Sequence, residues 1–224
     1  MKKVLITGVG KGIGQALAQK FLDEGYVVIG TTLSGSSDFE DRHFSCYRLD
    51  LSSPKSISAC AEKVRKAEGK IDILINNAGV LLDEEETSVK PGILRKTLEV
   101  NLIGTIDFTE HIIPFVRTRG HIVNISSTAG SLALTSKNVS HHPHHYPAYK
   151  ISKTALNMYT RTLAQALKNK GIAVSSVHPG WVKTDMGGAD ADITPQKAAK
   201  QIFDFAVTHP ATGNFWYAGK KLPW

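Results

Sequence analysis

The chain has 224 residues, 42% apolar and 21% charged, with 27 Lys and Arg against 20 Asp and Glu for a net charge of +7. That length suits one large domain with a sizeable core, and the composition is that of a soluble globular protein, which excludes a fibrous or disordered chain. No apolar run approaches the ~18 residues of a membrane span, and the opening MKKVLITGVG lacks the layout of a secretion signal. The basic residues are scattered, with no dense run and no RNA-binding signature, so the charge indicates a general attraction for anions such as phosphates. Neither nucleic acid nor membrane is expected as a partner. Cys46 and Cys60 have neither metal nor redox spacing and are expected to be buried thiols, which suits a reducing, cytoplasmic setting.

In chain order, short β-branched runs alternate with longer helical patterns. VLITG is followed by a helix over about 13–24 and then YVVIGTT; CYRL is followed by a helix over about 54–68 and then IDILINN. After a polar, acidic loop over 82–90 comes a helical region through about Arg119. HIVNIS, a helix carrying Tyr149, IAVSSVHP and a last helix from about Pro195 complete the series. The rhythm predicts βαβ units and a parallel sheet covered on both faces. With no repeat, linker or change of composition, 1–224 reads as one domain. Only 132–147 and 186–193 break the pattern.

The first turn, TGVGKGIG, lies between a strand and a helix. Its glycines allow a pyrophosphate close to the backbone, and the helix N-terminus behind them favours negative charge. The spacing is a T-G-x-x-x-G-x-G variant using Thr7, Gly8, Gly12 and Gly14. An ordinary tight turn is the alternative. At the end of the second strand, where an acid would hold a ribose 2′-hydroxyl, stand Thr31, Thr32, Leu33 and Ser34. Lys11, inside the glycine turn, can neutralise a 2′-phosphate instead, which favours NADP over NAD. Asp50 either reaches an adenine edge or caps the segment after it. Asn77-Ala78-Gly79, Ser126-Ser127 and Pro179-Gly180 close three further strands, at the sheet edge where ligands bind in open α/β folds.

The stretch YPAYKISKTAL, over 146–156, holds Tyr149 and Lys153 one helical turn apart on a shared face. An ammonium so placed is expected to lower the phenol pKa toward the range of a general acid or base. Tyr146 and Lys150 repeat the spacing. Trp181 and Tyr146 are candidates for a substrate pocket or for plain core aromatics.

Taken in order, TGVGKGIG, Asp50, NNAG, the Asn101 of LEVNLIG, HIVNISS, YKISK and HPGWVKTD resemble the short-chain dehydrogenase/reductase family over essentially the whole chain. HPGWVKTDMGG and the ending GKKLPW look most like its carbonyl-reductase-like and C-factor-like branches. The resemblance implies a single Rossmann-type, doubly wound α/β domain with a seven-stranded parallel sheet. It implies Asn101, Ser127, Tyr149 and Lys153 as the catalytic set, and prefers Tyr149 and Lys153 over the overlapping pair. The cofactor would be NADP, held by Thr7, Gly8, Lys11, Gly12, Ile13, Gly14, Thr32, Asp50, Leu51, Asn77, Ala78, Gly79, Tyr149, Lys153, Pro179, Gly180, Val182 and Thr184. The activity it implies is NADPH-dependent reduction of a small or medium carbonyl compound. The alternative is an NADP-binding regulatory protein on the same scaffold, since a fold does not dictate function.

One departure is the 22-residue step from Ser127 to Tyr149, longer than is usual in the family. The added residues are expected to border the substrate cleft and to hinder pairing of helices between subunits, which favours a monomer or homodimer over a tetramer. They include His141, His142, His144 and His145. Adjacent side chains diverge and no carboxylate or cysteine accompanies them, so no metal site is expected; Pro143 suits a solvated loop whose charge rises below pH ~6.5.

Overall fold

The computed structural model describes residues 1–135 and 145–224. His141, His142, Pro143 and His144 lie outside the described residues.

Among the described residues, eight strands form one sheet: β1 (Lys3–Thr7), β2 (Val27–Thr32), β3 (Phe44–Arg48), β4 (Ile71–Asn76), β5 (Val116–Ile125), β6 (Ala173–Val177), β7 (Asn214–Tyr217) and β8 (Lys220–Leu222). Their order is β3-β2-β1-β4-β5-β6-β7-β8. The first seven pair in parallel as expected. The eighth is an addition: three residues after the turn at Ala218 and Gly219 fold back antiparallel on β7, so Phe215 faces Leu222. The helices are α1 (Gly12–Asp23), α2 (Pro54–Glu68), α3 (Pro91–Leu98), α4 (Thr105–Ile112), α5 (Leu132–Thr135), α6 (Pro147–Ala166) and α7 (Pro195–Ala206).

The central strands read as apolar runs because both their faces are covered. One core gathers Leu5, Ile29, Leu74 and Ile122 with Phe108 of α4 and Leu163 of α6. The opposite face packs Val4, Ile6, Ile75 and Val123 against Leu17 and Phe21 of α1 and Ile202 of α7. The chain crosses from one side of β1 to the other when it passes from β3 to β4. The carboxyl ends of β1 and β4 therefore flank the crevice where such sheets take ligands.

Two sequence expectations require correction. The helical region does not reach Arg119: α4 ends at Ile112, a short 3-10 turn holds Ile113–Phe115, and Val116 already pairs with Ile71 in the sheet. Pro114 explains the stop, since its ring would clash with the carbonyl four residues back in a continuing helix. Residues 117–120 then bulge from the ladder, because the next pair is Ile73 with His121. Of the two thiols, Cys60 is buried but Cys46 is only partly so.

Candidate active site

The glycine turn is closed by the segment after β4. The Thr7 hydroxyl accepts from the backbone N–H groups of Asn77 and Ala78, both at 3.0 Å, and the Asn77 amide donates to the carbonyls of Thr7 and Gly8 at 2.9 and 3.1 Å. A methyl group on Gly14 would stand 2.0 Å from the Gly8 carbonyl oxygen, so only glycine permits this turn. Gly8 and Gly12 have φ of +75° and +59°, the left-handed region where glycine carries no Cβ penalty. Ile13, the second residue of α1, also lines the adjoining cleft. The turn, the N-terminus of α1 and the backbone of 77–79 thus form one anion-accepting cradle.

Around it stand the other expected cofactor contacts. Thr32 ends β2 and accepts from the Gly35 N–H at 2.9 Å, with no carboxylate at that strand end. Asp50 accepts from both the N–H and the hydroxyl of Ser52, at 2.9 and 2.6 Å, which is the local capping reading of that residue. Its neighbour Leu51 is buried, and a methyl on Gly104 would collide with the Leu51 carbonyl at 1.8 Å. Lys11 reaches across the crevice to Asp185, Nζ to Oδ2 at 2.5 Å, and both side chains are exposed. Gly180 turns at φ +93°, Val182 bridges to Ile193, and Thr184 lines the cleft with its methyl close to Gly12.

The catalytic candidates converge from three elements. Ser127 follows β5, caps the turn Thr128–Gly130 and accepts from the Ala129 N–H at 3.1 Å. Its hydroxyl faces the Tyr149 phenol of α6, and both side chains line one cleft. Lys153, one turn on, is buried and donates to the Ile125 carbonyl at 2.8 Å. Asn101 lies in a π-helical turn, Glu99–Gly104, between α3 and α4; such turns favour functional positions because the extra residue re-aims the backbone. Its amide accepts from the Val80 N–H at 2.7 Å and donates to the Val80 carbonyl at 2.8 Å and to Ser152 at 3.1 Å. A methyl on Gly79 would sit 3.2 Å from Asn101 Oδ1 and 3.7 Å from Lys153 Nζ, so these two groups share one corner.

The electrostatics differ from the sequence expectation. Burial pushes the Tyr149 phenol up to about 12, opposed in part by the neighbouring Ser127 hydroxyl, while burial brings the Lys153 ammonium down to about 8. The cation stands over the Tyr149 ring, 5.5 Å from its centroid, and spends a proton on Ile125. Desolvation therefore decides the state of the phenol. At neutral pH the phenol is the proton-bearing form, which suits a donor to a carbonyl oxygen.

A cleft of about 160 Å³ opens beside this group. Ser127 and Tyr149 line it with Tyr146, Trp181, Leu81 and Met186. This resolves Tyr146 and Trp181 as cleft residues. Tyr146 sits at φ +47°, its ring edge-on to Tyr149 at 6.0 Å with Lys150 over its face at 4.9 Å. Tyr146 of the overlapping pair is thus part of the cleft wall. His178 also lines it and accepts from the Thr128 N–H at 3.4 Å. Sequence reading passed over His178 and Leu81; their places just after strand ends were the available signal. Asp83 was missed too: it is buried, and its carboxylate accepts from the Ala148 N–H at 2.5 Å, fixing the first turn of α6. No group of three or more His, Cys, Asp or Glu side chains suited to a metal occurs among the described residues. Among the same residues no helix is long and apolar enough to cross a membrane.

This is a Rossmann-type domain with its polar groups gathered at the switch-point crevice. Residues 2–194 match the short chain dehydrogenase family, and the chain belongs to that family. Among curated relatives, NADPH carbonyl reductase 1 of mouse is 28% identical over 272 residues, covering 98% of this chain and 97% of that one. Among solved structures, a short-chain dehydrogenase/reductase of Burkholderia multivorans with bound NADP is 25% identical at a TM-score of 0.88, covering 100% and 99% of the two chains. An NADPH-bound carbonyl reductase from chicken fatty liver is 25% identical at a TM-score of 0.85, again covering 100% and 99%.

Proposed function

We propose that this protein reduces the carbonyl group of a small or medium aldehyde, ketone or quinone to the alcohol, using NADPH. The observation that carries the reading is the placing of Ser127 and Tyr149 together in the wall of one cleft, with Lys153 over the Tyr149 ring and Asn101 at the same corner. NADPH, when bound, supplies the hydride. The cradle fits it: glycines no larger residue could replace, a helix N-terminus at the phosphates, no acid at the end of β2, and the Lys11 ammonium on the crevice rim. NADP or NADPH in two relatives of the same fold supports the choice.

In this reading Tyr149 gives its proton to the carbonyl oxygen as negative charge develops there, and Ser127 orients that oxygen and donates to it. Lys153 holds the ribose hydroxyls and keeps positive charge beside the phenol. Asn101 fixes the local backbone that anchors a water for refilling the proton path. Tyr146, Trp181, Leu81 and Met186 surround the rest of the substrate, which favours a compact apolar body behind the carbonyl.

The test is NADPH consumption by the purified protein against a panel of aldehydes, ketones and quinones. Turnover of at least one class, lost in Tyr149→Phe, is the expected result. Tight NADPH binding with no turnover across the panel would point instead to a regulatory NADP-binding protein and overturn the proposal.

A further inference from the structure

We infer that Asn157 is a positioning residue that sets Ser127 against Tyr149. The inference rests on the proposed role of Ser127 and deepens it.

Tyr149, Lys153 and Asn157 recur at intervals of four along α6, so they stand in one row on one face of the helix. Each engages the end of β5. Lys153 donates to the carbonyl of Ile125, Asn157 accepts from the hydroxyl of Ser126 at 2.7 Å, and Tyr149 faces Ser127 across the cleft wall. Two consecutive residues of the strand exit are thus bonded to successive turns of the helix, and the third, Ser127, stands against the turn before them. Asn157 alone does more: its amide also donates to the carbonyl of Gly130 at 3.1 Å. It therefore ties together both ends of the turn that bears Ser127.

The turn is also held by Thr128 on His178, by its own backbone bonds and by Ser131 on Pro223, but on the helix side the directional bonds to Ser126 and Gly130 come from Asn157. Ser127 is extended, with φ −154°, and its own hydroxyl is used within the turn by Ala129. Gly130 lies directly on the helix backbone, where a methyl group would come within 2.6 Å of the Lys153 carbonyl carbon. That contact sets how closely the turn approaches α6, and the two Asn157 bonds set its direction. Both Ser126 and Asn157 are buried, so no water competes for these bonds, and each amide end of Asn157 has its complementary partner. A displacement of ~1 Å at a catalytic group costs on the order of a hundredfold in rate. Asn157 lines neither the cleft nor the cradle and reaches the cleft through Ser126 and Gly130, the two flanks of Ser127.

The test measures kcat, KM for the best substrate of the panel and the NADPH dissociation constant in Asn157→Ala, Ser127→Ala and the double variant. Asn157→Ala should lower kcat at least about tenfold, with NADPH affinity and KM each within about twofold, as expected when a transition-state contact alone is lost. In the Ser127→Ala background the same change should cost less than about twofold, because the group it positions is gone. An undiminished loss in that background, a parallel weakening of NADPH binding, or an unchanged kcat in Asn157→Ala would each overturn the inference. If Asn157→Ala does not fold, Ser126→Ala removes the other end of the same bond, and the same readings decide. Full activity in Ser127→Ala would instead overturn the role given to Ser127. An impaired Ser127→Ala beside an unimpaired Asn157→Ala would sink the inference about Asn157 alone.

Discussion

Lys153 is held at the expense of stability, and Lys153→Met should expose that. The side chain is 5% exposed, has no carboxylate beside it, and makes one hydrogen bond, to the Ile125 carbonyl. Burial lowers its ammonium from 10.5 to about 8, a difference equivalent to ~3 kcal/mol. Methionine fills a similar volume without charge, but leaves the Ile125 carbonyl short of a donor, at a cost of about 1 kcal/mol. The variant should therefore be more stable than the parent by about 2 kcal/mol at pH 7, raising Tm by roughly 4–8 °C for a domain of this size. The sign can be checked against pH. Between about 8 and 10.5 the unfolded chain binds the proton that the folded chain has released, so the parent gains stability as pH rises through that window. The advantage of the variant should shrink over the same range. Urea unfolding of both proteins at pH 7, 8.5 and 10 reads this directly. An equal or lower stability for Lys153→Met at pH 7, or an advantage independent of pH, would refute the reasoning.

Tyr149→Phe should lower kcat by about 100-fold or more, the usual weight of a general acid, with NADPH affinity nearly intact, whereas Tyr146→Phe should keep substantial activity; the reverse order in steady-state assays would shift the catalytic assignment by one turn. Lys11→Ala should weaken NADPH binding several-fold and leave NADH within about twofold, and Asp185→Asn, by releasing Lys11, should tighten NADPH; titration calorimetry at low salt distinguishes these from an equal effect on both cofactors. His121 is buried between the Ala206 carbonyl and the Ser175 hydroxyl, and burial brings its imidazole down to about 4. The stability this gives is complete above pH ~6.5 and lost as pH falls toward 4, by up to ~3 kcal/mol; a flat acid limb in the parent, or an unchanged one in His121→Gln, would contradict it.

The βα rhythm was legible because each central strand is buried on both faces and each helix carries a single apolar stripe, so Val4–Ile6 and Leu17–Phe21 read differently with no knowledge of the fold. The glycine turn was legible for a related reason: its geometry leaves no room for a Cβ at Gly14, and the sequence must comply. The segment around Val116 was not. Residues 117–120 are charged or small and leave the ladder as a bulge, so they show no period of either kind. Asn101 was found through resemblance, but its π-helical turn was not, since one extra residue in a helix leaves no mark on composition. The pairing of Ser126 with Asn157 was hidden more completely. A buried Ser–Asn pair separated by 31 positions is a tertiary fact, visible only once β5 and α6 are side by side.

The central claim is that Tyr149 and its neighbours carry out reduction of a carbonyl by NADPH, and isotope transfer tests it most directly. The protein would be given NADPH deuterated at the reactive carbon, with the best carbonyl of the panel, and the alcohol analysed by mass spectrometry. The account predicts one deuterium on the former carbonyl carbon, delivered by the parent protein and reduced to background in Tyr149→Phe. Alcohol formed without the label, or equal labelling by both proteins, would contradict it.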